Sequence, residues 1–122
     1  IDLMDELAKS HGEQDQAFHN SMARYIAVKE EHAEKVKQEI RVIWGDYMKA
    51  EHVEKYPELN GLVHKIMQLG SKSRQTTSRQ TAVELLGAVN RFAEIFWETK
   101  GIATKKVKAP YKPGEEVVYP AL

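Results

Sequence analysis

Apolar residues recur at three- and four-residue steps along most of the first hundred positions, and those steps predict helices. Leu3, Met4 and Leu7 predict a short amphipathic helix over 2–10, with Gly12 as its stop. Phe18, Met22, Tyr25, Ile26, Ala33, Val36, Ile40, Ile43, Tyr47 and Met48 predict a long helix from about Asp15 to Lys55. At about 1.5 Å per residue, forty residues span about 60 Å, more than a compact domain of this size is wide. Either the helix breaks near Gly45 or the molecule is elongated. The stripe thins at Lys29 and Ala33, which reads as a solvated stretch, a register device or a place where another chain packs.

Tyr56-Pro57-Glu58 interrupts the pattern, because the residue before proline is biased away from helix while proline suits a first helical turn. Leu59, Leu62, Val63, Ile66 and Leu69 then predict a helix over 58–69 with Gly70 as its C-terminal cap. Ser71 or Ser73 caps a second long helix over 72–99, closed by Lys100-Gly101. Its stripe of Ala82, Leu85, Leu86, Val89, Phe92, Ala93 and Phe96 is widened by Val83, Ile95 and Trp97, so it needs two neighbours to cover it. The expected fold is therefore all-α: an elongated helical hairpin or three-helix bundle over 1–101, followed by an extended, proline-containing C-terminal arm over 102–122. Pro113-Gly114 suits a type II turn, and Val107 to Tyr111 facing Glu116 to Tyr119 would make a small β-hairpin. Isolated hairpins are marginal in water, which favours an arm laid on its own bundle or on a partner.

Composition narrows the class. The 122 residues suffice for one domain, and with no Cys there is no disulfide framework, thiolate metal site or Cys nucleophile. No apolar run approaches the roughly 20 residues of a membrane span. The chain begins with Ile1, as a processed or excerpted chain does, and its first residues lack the marks of a signal peptide. These features favour a soluble, cytoplasmic protein slightly, while a removed presequence for export or organelle import would leave no trace in these residues.

Charge sharpens it further. The formal net charge is zero, yet residues 1–60 carry thirteen acidic against eight basic side chains and 61–122 carry ten basic against five acidic. Between Lys65 and Lys112 only Glu84, Glu94 and Glu98 oppose the ten bases. Such a half faces its own acidic helix, a neighbouring copy or a polyanion.

Reactive chemistry is not evident. Ala8, Gln16, Lys29, Lys49 and Gly61 stand three residues before His11, His19, His32, His52 and His64, so the Glu-x-x-His pattern of carboxylate-bridged metal bundles is missing. No two histidines are three or four apart, and no nucleophile elbow or phosphate loop occurs. The near-duplicate Ser73-Arg74-Gln75-Thr76-Thr77 and Ser78-Arg79-Gln80-Thr81-Ala82 holds side chains that contact phosphates and base edges. On one helix Arg74 and Arg79 would lie about 140° apart, on different faces.

These observations lead to a non-catalytic helical interaction subunit or adaptor, without cofactor or metal, in a homo-oligomer or larger protein complex. Trp44, Trp97, Tyr111, Val117 and Tyr119 are its expected partner contacts. The alternative is a nucleic-acid-binding protein using Lys65, Lys72, Arg74, Arg79, Arg91, Lys100, Lys105, Lys106 and Lys108.

Overall fold

A computed structural model describes residues 1–10, 16–110 and 114–121. Five helices and two strands follow one another: α1 (Asp2–Ser10), α2 (Gln16–Asp46), α3 (Ala50–Lys55), α4 (Leu59–Gln75), α5 (Arg79–Thr99), β1 (Thr104–Lys108) and β2 (Glu116–Pro120). The expected stop at Gly12 and the tail residues Tyr111 to Pro113 lie outside the described residues.

The long first helix does break near Gly45. It closes at Asp46, where the amides of Tyr47 and Met48 both turn back to the Ile43 carbonyl, at 3.0 and 3.1 Å. The six-residue α3 restarts the chain, its entry tied by the Lys49 amide donating to His52 Nδ1 at 2.9 Å. Pro57 separates α3 from α4, as its stereochemistry requires.

Gly70 does not end a helix. It lies inside α4, which runs on to Gln75, and it is buried where α4 crosses α2 against Lys37. The stop falls at Thr76–Ser78 instead, and Ser78, not Ser71 or Ser73, caps α5 by accepting the Thr81 amide at 3.3 Å. The near-duplicate motif therefore straddles a turn between two helices. The thin part of the α2 stripe is explained by the same crossing: Ala33 is 6% exposed, and small residues there let the two backbones approach. Lys29 spans the crossing by donating to the Thr76 carbonyl at 2.7 Å, and Lys37 donates to Ser71 Oγ at 2.9 Å.

The β1–β2 hairpin is the second neighbour that the wide α5 stripe needs, and α4 packs against both α2 and α5. Ile40, Met48, Leu59, Val63, Ile66, Leu69, Leu85, Ala88, Phe92 and Ile95 form the core at these two interfaces. Burying side chains of this size contributes about 1.5–3 kcal/mol each before entropy is counted. Ser73 is 4% exposed at the crossing, and its hydroxyl finds no partner among the described residues. A buried hydroxyl left unsatisfied opposes folding. Ser73→Ala is expected to stabilise the protein by about 1 kcal/mol, visible as a higher urea midpoint; a lower midpoint would show that the hydroxyl is satisfied.

The tail is a hairpin rather than an unpaired arm, and its pairing differs from the expected one. β1 and β2 are antiparallel with Thr104 opposite Pro120 and Lys108 opposite Glu116, so the first strand lies earlier than Val107 to Tyr111. Gly114 has φ +72°, a left-handed conformation that glycine adopts without strain. The hairpin escapes marginal stability by packing on α5, where Val118 is buried. No described helix is long and apolar enough to cross a membrane.

Candidate functional site

A polar and aromatic cluster gathers where α2 ends and α5 ends. Tyr47 packs edge-on to Phe96 at 5.1 Å and stacks on His52 at 5.4 Å with only 13° between the rings. Thr99 Oγ1 gives its one proton to the Phe96 carbonyl at 2.5 Å, so the Tyr47 hydroxyl donates to Thr99 Oγ1 at 2.8 Å. The Lys100 ammonium sits 4.9 Å from the Tyr47 ring centre and 5.3 Å from that of Phe96, within cation–π range. A cleft opens alongside, lined by Lys55, Tyr56, Glu98 and residues 101–104. Burial, and then the Glu98 carboxylate bonded to it, push the Tyr56 hydroxyl above its usual pKa. This end of the bundle holds protons and rings in place.

The arginines of the basic segment are committed to ion pairs within the fold. Arg74 pairs with Glu34 at 3.3 Å, Arg79 with Asp2 at 2.9 Å and Glu115 at 2.7 Å, and Arg91 with Glu58. Three of these four carboxylates belong to the acidic first half, so that half receives the arginines of the second. The Arg41 hydrogen bond is the main cause holding the Glu34 carboxyl below its usual pKa, and Glu58 raises that of Arg91. Lys100 lies over aromatic rings. Lys65 and Lys72 are exposed, and Lys105, Lys106 and Lys108 are exposed along β1. Because the sheet has two strands, β1 presents an open edge, and lysines on such an edge discourage pairing with another chain.

The expected partner contacts do not form one patch. Trp44 is half-buried against the core and Trp97 packs edge-on to Phe96 at 5.1 Å. Val117 is half-buried, Tyr119 is 44% exposed, and Tyr111 lies outside the described residues. Sequence reasoning missed Asn90, whose side-chain amide brackets β2, donating to the Glu116 carbonyl at 2.9 Å and accepting the Val118 amide at 3.1 Å. The only signal was a poor helix former in the middle of α5.

Among the described residues no three His, Asp or Glu side chains converge on a point that could hold a metal ion.

Comparison with known proteins supplies what local motifs did not. Residues 1–100 match the family model described as nickel-containing superoxide dismutase. Over 77 residues the chain is 38% identical to the superoxide dismutase [Ni] of Streptomyces seoulensis and of Streptomyces coelicolor, covering 63% of this chain and 59% of each relative. The match thus spans about three fifths of the length of these curated relatives. A native nickel superoxide dismutase structure superimposes with a TM-score of 0.66 at 34% identity, covering 80% of this chain and 81% of that one. An oxidised-state structure gives 0.67 at 32%, covering 82% and 83%.

Nickel, which the family's description implies, does not fit the residues at hand. Nickel sites draw on imidazole, on thiolate, or on planar nitrogen and oxygen sets. This chain has no Cys, and its described histidines and carboxylates do not converge. Two expectations are nonetheless corrected. A chain that matches an enzyme family over residues 1–100 is not a non-catalytic adaptor, and the nucleic-acid alternative falls with it. Both errors arose because the reactive signature is missing from these residues, while unassigned arginines looked free. On the extent of that match, the chain belongs to the nickel-containing superoxide dismutase family.

Proposed function

We propose that this chain is the helical body of a nickel-dependent superoxide dismutase. The reaction converts two superoxide anions and two protons into dioxygen and hydrogen peroxide, one superoxide losing an electron and the other gaining it. The observation that carries this reading is the family match over residues 1–100, supported by the fold likeness to solved nickel superoxide dismutases. No step of the reaction is assigned to the described residues, because none of them assembles a nickel donor set. Their part is to provide a rigid, charge-tied scaffold of α2, α4 and α5.

Assembly with further copies is part of the proposal. Ile26 and Val28 stand 36% and 47% exposed on α2, and Tyr119 and the half-buried Trp97 offer aromatic contacts. Light scattering is expected to give a mass above that of one chain.

The activity is tested on the product of the complete gene, produced with and without nickel. Nickel-grown protein is expected to bind the metal stoichiometrically and to accelerate superoxide decay in stopped-flow absorbance, with the acceleration lost when nickel is withheld. Stoichiometric nickel without dismutation, or dismutation indifferent to nickel, would refute it.

A further inference from the structure

The hairpin β1–β2 lies beyond residues 1–100, the stretch that the family accounts for, so its purpose has to be sought in its own contacts. We propose that this hairpin is a strap that holds α1 onto the helical body, with Arg79 as the link.

One end of the strap is fastened to α5. In the pairing of the two strands, the amides of Ala121 and Ala109 donate to the Ala103 and Glu115 carbonyls, so the amide of Val118 and the carbonyl of Glu116 point away from β1. These outward groups are the ones the Asn90 amide takes up, at 3.1 and 2.9 Å. Asn90 thereby replaces a third strand along the β2 edge, and Val118, 9% exposed, seals the same face. Two hydrogen bonds from one planar side chain fix the position of β2 along α5 as well as its attachment.

The other end reaches α1. Arg79, the first residue of α5, uses Nη2 to bind Glu115 at 2.7 Å and Nε to bind Asp2 at 2.9 Å. Different nitrogens make the two bonds, so the guanidinium holds both carboxylates at once. Glu115 immediately precedes β2, and Asp2 opens α1. Both carboxylates raise the Arg79 pKa, as a shared cation between two anions requires.

α1 needs such a tie. Nine residues are fewer than the roughly 12–15 at which an isolated helix becomes even marginal. Its packing is on α2, with Met4 buried at 3% exposure while Leu3 stays 56% exposed. Among the described residues of α1, Met4 is the fully buried side chain and Leu7 is half-buried, a small anchor for a helix that contributes little stability of its own. The strap adds a polar anchor at the opposite end from Lys9, at the first turn.

Hydrogen exchange on the full chain, read by mass spectrometry, tests the strap without reference to nickel or dismutase activity. Asn90→Ala is expected to speed exchange in both strands at least fivefold, by removal of two hydrogen bonds, and exchange in α1 by about two- to fivefold. Arg79→Ala should speed α1 by the same two- to fivefold. Adding Asn90→Ala to Arg79→Ala should leave α1 unchanged, since the two act through one link. Glu115→Gln, an exposed change that spares the core, cuts the strap alone and should reproduce the α1 effect. Strands that loosen while α1 keeps its wild-type exchange, or strands unmoved by Asn90→Ala, would overturn the proposal. So would additive effects on α1 in the double variant.

Discussion

Phe92→Ala is expected to cost about 3–5 kcal/mol, the range for truncating a large buried aromatic. Phe92 is 2% exposed and shares the interior of the α4–α5 interface with Leu59, Ile66 and Ile95, the other large side chains removed from solvent. Neighbouring side chains on two helices cannot all relax into the space, so the lost transfer energy is joined by the cost of a cavity. Single domains have only about 5–15 kcal/mol in total, so the variant should be partly unfolded at moderate urea. Val83→Ala supplies the contrast on the same helix. Val83 is 37% exposed, and the change should stay within about 0.5 kcal/mol. Urea titrations should show the midpoint falling with an unchanged slope for Phe92→Ala. Equal losses in the two variants would place the core elsewhere.

What could be read from the residues in order was whatever depends on near neighbours. The break at Pro57 and the weakness near Gly45 follow from local backbone chemistry, and both appear in the fold. Residues set apart in the chain were another matter. Gly70 looks the same in sequence whether it frees the backbone at a helix end or makes room at a crossing, and only Lys37 on another helix decides between the two. Arg74, Arg79 and Arg91 read as an available basic surface until Glu34, Asp2 and Glu58 are seen to meet them. The hairpin was legible as a possibility, but its pairing was not, because Asn90 selects which edge of β2 faces α5. The candidate site was the least legible part. Tyr47, His52, Thr99 and Lys100 come from three separate segments, and enzymatic character enters through the family match rather than any donor motif in these residues.

The crossing of α2 and α4 yields a second large effect, and its sign should depend on Lys37. In an ordinary helix interior Gly→Ala stabilises by about 1 kcal/mol. At Gly70 the added Cβ would stand 2.6 Å from Lys37 Cγ and 2.9 Å from its Cδ. Those atoms are near the root of the side chain, and its far end is held by Ser71 at 2.9 Å, so Lys37 cannot swing clear cheaply. Overpacking of this kind costs about 1–3 kcal/mol, enough to outweigh the helix gain, and Gly70→Ala should be net destabilising. Lys37→Ala removes both offending atoms. In that background the same Gly70→Ala change should become stabilising by about 0.5–1 kcal/mol, giving a coupling of the size contacting residues show. A double-mutant cycle by urea denaturation reads this directly. If Gly70→Ala has the same effect with and without Lys37, contact with Lys37 is not what keeps residue 70 a glycine, and the α2–α4 approach is limited by the backbone near Ala33.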